Sequence, residues 1–159
     1  MSENEQLITN FYTAFGHNDI NKMAVCYHKN IQFEDPAFGI LKESEPIAMW
    51  KMLLERSKGN LEIVFFDVIA NENFGSATWV ATYLFSKTNR KVINKIDAKF
   101  EFQDGLIVKH TDSFDIYKWA KQALGFKGFL LGWTNFMKNK IQKGAKKSLE
   151  IYIQNQSKV

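Results

Sequence analysis

Val92-Ile93-Asn94-Lys95-Ile96-Asp97-Ala98-Lys99-Phe100-Glu101-Phe102-Gln103-Asp104-Gly105-Leu106-Ile107-Val108-Lys109-His110-Thr111-Asp112 is the stretch from which the fold follows. Val92, Ile96, Ala98, Phe100 and Phe102 share one face, and Ile93, Lys95, Asp97, Lys99 and Glu101 share the other. Neighbouring side chains of a strand point to opposite sides, so residues 91–103 form a strand with one covered face. Gln103-Asp104-Gly105 then turns the chain, because Asp-Gly supplies the φ > 0 geometry of a tight hairpin, and a second strand runs over 106–117.

Upstream, the same period of two predicts strands over 61–70 and 76–87, separated by turns at Asn71–Gly75 and Lys87–Arg90. Nearer the start the spacing changes. Leu7, Ile8, Phe11, Ala14 and Phe15 repeat at helical intervals and end at Gly16-His17-Asn18-Asp19. Asp19 caps a second short helix read through Met23, Ala24 and Tyr27. Ile31-Gln32-Phe33-Glu34 reads as a short strand stopped by Asp35-Pro36. Ser44, with Pro46 in the first turn, opens a third helix whose face is Ile47, Trp50, Leu53 and Leu54. Three helices followed by long antiparallel strands define an α+β class with helices on one face of a curved sheet.

The 159 residues suit one domain, and 45% hydrophobic composition excludes a disordered chain. No apolar run approaches the length of a membrane span, and Glu3 and Glu5 stand where a secretory signal would be basic. The single cysteine, Cys26, reads as a small buried hydrophobe, and its being alone fits a reducing cytoplasm. The net charge of +4 is unevenly spread: residues 1–115 carry −4, while residues 116–159 carry nine lysines and only Glu150, a net of +8.

Phe11-Tyr12-Thr13-Ala14-Phe15 with Asn18-Asp19, Tyr27, Ile31-Gln32-Phe33-Glu34-Asp35-Pro36, and Phe102-Gln103-Asp104-Gly105-Leu106-Ile107 leading to His110-Thr111-Asp112 carry a family likeness. Over about residues 5–117 they resemble the nuclear transport factor 2-like superfamily, which includes ketosteroid isomerase, SnoaL-like polyketide cyclases and limonene epoxide hydrolase. The resemblance implies a cone-shaped curved antiparallel sheet with three N-terminal helices around a largely apolar pocket. Residues 1–117 would be the SnoaL-like cone and residues 118–159 a helical C-terminal extension.

Asp35 precedes proline between Phe33 and Phe38, and a carboxylate against apolar walls gains a raised pKa suited to proton transfer. By resemblance it occupies the position of the isomerase base. Its structural alternative is an Asp-Pro turn whose side chain bonds nearby backbone. Alternation puts Val108, His110, Asp112 and Phe114 on one face, so His110 can bond Asp112. Asp112 resembles the last-strand aspartate of the cyclases and the epoxide hydrolase. Trp79 and Tyr83, on a face of alternating small and large residues, are wall candidates with polar tips, and Tyr27 offers a hydroxyl. Phe11 falls where the isomerase has its oxyanion tyrosine and would line the pocket without a hydroxyl. Asp97 lies on the lysine-rich face, and Trp79-Val80-Ala81-Thr82 lacks the hydrolase's Arg-x-Asp.

These residues predict either a metal-independent isomerase, cyclase or hydratase acting on a small hydrophobic molecule, with Asp35 and Asp112 as acid and base and His110 orienting or relaying, or a non-catalytic holder of a small apolar ligand. His17, His28 and His110 are scattered, no nucleotide-binding glycine motif occurs, and no cofactor is expected. In the extension, Phe126, Phe129, Leu130, Trp133, Phe136, Met137 and Ile141 recur at helical spacing, followed by a cluster of lysines. The first reading is coverage of the domain or a homodimer contact. The second is a membrane surface bound through residues 126–147. Nucleic acid ranks last, because 19 of the 21 basic residues are lysine and the rest of the chain is acidic.

Overall fold

Helix α1 (Glu3–Gly16) begins with a reciprocal cap. The Ser2 hydroxyl accepts from the Glu5 amide, and the Glu5 carboxylate accepts from the Ser2 amide. Two backbone donors that a helix start leaves free are thereby satisfied. A computed structural model, describing all 159 residues, supplies this and the remaining geometry. α1 buries Ile8, Phe11, Tyr12, Ala14 and Phe15. Helix α2 (Ile20–Ala24) is capped by the Asp19 side chain on the Lys22 amide. It stops before Tyr27, against the reading that carried the helix that far. Strand β1 (Tyr27–Asp35) starts there instead, because Tyr27 pairs with Ile107 far along the chain.

Strand β2 (Gly39–Lys42) was not anticipated. It folds back on β1 from Asp35 opposite Gly39 to Gln32 opposite Lys42, with Gly39 at φ +67°. Helix α3 (Glu45–Ser57) has Ser44 at its N-cap, but Ser44 makes no side-chain cap bond. The Glu45 carboxylate accepts from the Lys42 amide at that corner. The residues α3 buries most deeply are Pro46, Met49, Trp50 and Met52; Ile47, Leu53 and Leu54 are only partly covered.

Strands β3 (Glu62–Ala70), β4 (Phe74–Phe85), β5 (Arg90–Gln103) and β6 (Leu106–Ser113) complete a six-stranded sheet in the order β2-β1-β6-β5-β4-β3. All pairs are antiparallel except β1 with β6. Asp104 and Gly105 both have positive φ, 53° and 73°, which is the backbone an Asp-Gly hairpin requires. Register shifts in β3 after Phe66, beside Asp67 at φ 54°, and between Glu101 and Phe102 in β5 add bend to the sheet. The concave face meets α1 and α3 in one continuous apolar core. On the opposite face Ile93, Val64 and Phe66 stay exposed among Lys95, Asp97 and Lys99.

β6 ends earlier than the expected 117, because Asp115 accepts from the Tyr117 and Lys118 amides and starts helix α4 (Ile116–Leu124). Helices α5 (Phe126–Leu131) and α6 (Asn135–Gln156) follow, with Gly125 turning the chain at φ 63°. α4 packs Trp119, Ala120 and Ala123 around Val92 of β5. α6 crosses α3, sends Leu149 into the main core, and donates the Tyr152 hydroxyl to Glu55 at 2.8 Å. The extension therefore folds onto its own domain.

Candidate active site

Between the concave face of β4–β6, α3 and the three C-terminal helices lies a cavity of about 490 Å³. Its walls are predominantly apolar, with Phe15, Phe38, Trp50, Trp79 and Ile96 among them. Asp35, Asp112, Tyr83 and Asn94 bring polar groups to the same space. Apolar walls with a few convergent polar groups are the usual composition of a small-molecule site.

Asp35 ends β1 and does two things at once. Its Oδ1 accepts from the amides of Ala37, at 2.9 Å, and Phe38, at 2.5 Å. That is the turn-forming role of an Asp-Pro segment. No protein donor reaches Oδ2. Burial in the apolar wall pushes the carboxyl up to about 7, reinforced by the negative charge of Asp112 and opposed by the two amide bonds. Near neutrality the group is thus divided between acid and carboxylate, the condition for giving and taking a proton at that pH.

Asp112 is the outermost member of a buried hydrogen-bond chain. The Trp50 indole N–H donates to the Tyr27 hydroxyl at 3.0 Å. That hydroxyl lies 2.7 Å from His110 Nδ1, and His110 Nε2 lies 3.0 Å from Asp112 Oδ1. Trp79 Nε1 donates to the same Oδ1 at 3.3 Å. With Asp112 ionised, every member is satisfied by one assignment: Tyr27 donates to Nδ1, and the Nε2–H donates to the carboxylate. His110 is fully buried, with the Phe100, Phe33 and Phe11 rings 4.6, 5.2 and 5.5 Å away. Tyr27 is likewise sealed, and burial pushes its hydroxyl pKa well up.

The structure therefore brings Asp35, Asp112, Trp79 and Tyr83 to one cavity. It does not bring Phe11 or Tyr27 to the cavity wall. Phe11 stacks on Tyr27 with ring centres 5.1 Å apart, so both form the layer behind the wall. Their expected contact with a ligand is corrected to support of His110, which itself stands behind Asp112. Asp97 accepts from Thr78 on the outer face, away from the cavity. Cys26 is buried, and burial pushes its thiol up to about 11.

Three contributors escaped the sequence reading. Asn94 lies between Val92 and Ile96 on the apolar face of β5, and its side chain makes no protein hydrogen bond while lining the cavity. Its position in the alternation was the available signal. Helical spacing accounts for Trp50 as packing on α3, yet its N–H anchors the buried chain. Trp119 of α4 lines the cavity and donates to the Tyr83 hydroxyl at 2.8 Å, joining the extension to the wall. Tyr12 is a fourth feature: its hydroxyl is fully buried with no partner, and burial, with the charge of Asp112 next, pushes its pKa well up. No three His, Cys, Asp or Glu side chains group as ligands for an ion.

Residues 8–110 match the SnoaL-like domain family, and the chain belongs to it. No curated protein matches the sequence. Among solved structures, Bal32a from a soil-derived mobile gene cassette superposes with a TM-score of 0.67 at 19% identity, over 76% of this chain and 95% of its own. A putative polyketide cyclase from Xanthomonas campestris pv. campestris gives 0.61 at 17% identity, over 76% and 96%. An LEH-like epoxide hydrolase of M. tuberculosis gives 0.59 at 20% identity, over 82% and 91%. At such identities the likeness establishes the shared nuclear transport factor 2-like fold.

Proposed function

We propose that the cavity binds a small, mostly apolar molecule carrying a polar group, and moves a proton on it. The observation that carries this reading is Asp35: a half-buried carboxyl set in the apolar wall with one oxygen unpaired, held near pH 7, on the same cavity as Asp112. In this reading Asp35 exchanges the proton. Asp112, fixed by Trp79 and His110, stays an acceptor that orients the substrate's hydroxyl or an attacking water. The unpaired Asn94 amide donates to oxygen that gains negative charge. Isomerisation, aldol-type cyclisation and hydration all use such a set, and the cyclase and epoxide hydrolase among the structural neighbours are compatible with it. A non-catalytic ligand holder is favoured by two departures from the resembled enzymes: Phe11, behind the wall, brings no hydroxyl where the isomerase has its tyrosine, and Trp79-Val80-Ala81-Thr82 lacks the hydrolase's Arg-x-Asp.

Incubating the protein in heavy water with a panel of small cyclic and aryl ketones separates the two. In a Trp133→Phe background, which leaves only Trp50, Trp79 and Trp119 at the cavity, quenching of tryptophan fluorescence reports binding, and mass spectrometry reports deuterium uptake at carbon. The expected result is uptake with wild type and none with Asp35→Asn, while quenching persists in both. Quenching without uptake in wild type leaves the holder; equal uptake in both proteins removes Asp35 from the chemistry.

A further inference from the structure

Residues 126–136 expose an apolar surface that the fold does not cover. Phe126, Phe129, Leu130, Leu131, Trp133 and Phe136 are 75, 57, 49, 41, 65 and 72% exposed. The exposure is built in by how α5 is held. A Cβ on Gly128 would collide with the Ala120 carbonyl, and one on Gly132 would come within 2.9 Å of the Ala120 side chain. The Tyr117 hydroxyl also donates to the Phe129 carbonyl at 3.1 Å. α5 thus lies tight on α4 along its glycine side, and the aromatic side has nowhere to turn but outward. The Trp133 N–H is satisfied locally by the Leu130 carbonyl at 3.0 Å.

Along this segment the charge has one sign only. No acidic residue occurs between Asp115 and Glu150, and Lys127, Lys138, Lys140 and Lys143 lie within or just after the exposed run. None of the nine lysines of residues 116–159 is in an ion pair. An apolar, aromatic-rich surface on a segment whose only charged side chains are lysines complements an anionic lipid surface. A second copy is the poorer occupant, because a two-fold contact through this patch sets one lysine-rich segment against another.

We infer that the α5–α6 corner docks the protein on anionic membrane surfaces, with the rings of residues 126–136 entering the interface and the lysines meeting lipid headgroups. Lys127, Met137 and Lys140 of this same corner also line the cavity. Docking therefore brings one cavity wall to the bilayer, where apolar molecules concentrate. The inference stands whether the cavity catalyses or only holds its ligand.

Co-sedimentation of the full chain with phosphatidylcholine vesicles, and with vesicles containing roughly one third phosphatidylglycerol, tests it. Wild type is expected to bind the anionic vesicles at least about tenfold more tightly, and to lose binding as salt rises. The triple variant Phe126→Ser, Trp133→Ser, Phe136→Ser should lose binding to both. Lys138→Gln with Lys143→Gln should weaken only the anionic case, several-fold. None of these five residues lines the cavity, and an unchanged thermal transition certifies each variant's fold. Absence of binding by wild type overturns the inference, as does undiminished binding by the triple variant. A wild-type dimer that becomes monomeric in the triple variant, with no vesicle binding by either, assigns the patch to a second copy and overturns it as well.

Discussion

The cone and the C-terminal extension solve the burial problem in opposite ways. In the cone the larger apolar side chains gather inward, where Phe11, Phe15, Phe33, Met49 and Phe100 are sealed, while those left outside, such as Val64, Phe66 and Ile93, stand among the charged residues of the outer sheet face. The extension buries Trp119, Ala120, Ala123, Met137 and Leu149, yet leaves six large apolar side chains of residues 126–136 in solvent. It is neither a lid that hides its apolar surface nor a solvated appendage. The contrast shows that a segment can be required for a pocket and still keep a surface free for something else.

The strongest way to break this contrast is to remove the extension. A chain ending at Phe114 forfeits the burial of Ile116, Trp119, Met137 and Leu149, on the order of 6–12 kcal/mol at 1.5–3 kcal/mol per large side chain. That is comparable to the whole stability of an ordinary domain. The expectation is loss of a cooperative thermal transition together with strong binding of a hydrophobic dye. A sharp transition near the intact chain's temperature would show a self-sufficient cone and reduce the extension to decoration.

A second experiment probes the boundary the two regions share. Replacing Asp35 by Asn keeps an acceptor for the Ala37 and Phe38 amides and removes the buried charge. With a folded value near 7, against about 3.9 for an unfolded aspartate, the native state holds its proton longer. Wild-type stability from this group is complete below the unfolded value and falls as pH rises until about 7, where it levels off. Asp35→Asn should therefore stabilise the fold in chemical denaturation more at pH 8 than at pH 4.5, by a difference of a few kcal/mol at about 1.4 kcal/mol per pH unit. Gains of equal size at both pH values would mean that the carboxyl is not shifted.

How much of this was legible in the sequence depends on distance along the chain. The β5–β6 hairpin was readable because its turn residues and its alternation are local, and Asp104-Gly105 has the backbone that pair prefers. β2 was not, since four residues give too little alternation to register. Nor was the parallel pairing that turned Tyr27 from helix to strand, which depends on Ile107. The cavity shows the same division. Alternation alone placed Trp79, Tyr83 and Asp112 on covered faces, but Phe11 and Tyr27 were assigned to the ligand side. Whether a buried aromatic forms the wall or the layer behind it depends on the third dimension. Asn94 was lost among charged neighbours, and Trp119 because its partner Tyr83 lies 36 residues away. The extension was readable as helical and basic. That it walls the cavity was not readable, since the face of α6 carrying Met137, Ile141 and Ala145 meets the cone only through contacts far along the chain.

Deeper in the cone, Tyr27→Phe removes one oxygen and leaves two buried groups, the Trp50 N–H and His110 Nδ1, without partners. An unmade buried hydrogen bond costs about 1–3 kcal/mol. Tyr27 does not line the 490 Å³ cavity, and a loss of about 2 kcal/mol is expected in chemical denaturation. A change below about 0.5 kcal/mol would show that the chain from Trp50 to Asp112 relaxes freely and does not hold the carboxylate.

The smallest effect is expected where the two regions touch through a single bond. Trp119→Phe keeps a ring against Phe85 and Val92 while deleting the donor to the Tyr83 hydroxyl. Tyr83 lines the cavity, so water can replace the lost donor, and the cost should stay near 0.5–1 kcal/mol. The Tyr83 pKa, already raised by burial and lowered in part by the Trp119 bond, should climb further, which ultraviolet titration can follow. A loss of 3 kcal/mol or more would mean that this one contact locks extension to cone, and the boundary between them would cease to be useful. A small loss with a shifted Tyr83 would instead place the extension's hold in its packing on β5 and α3, leaving the indole to tune the cavity wall.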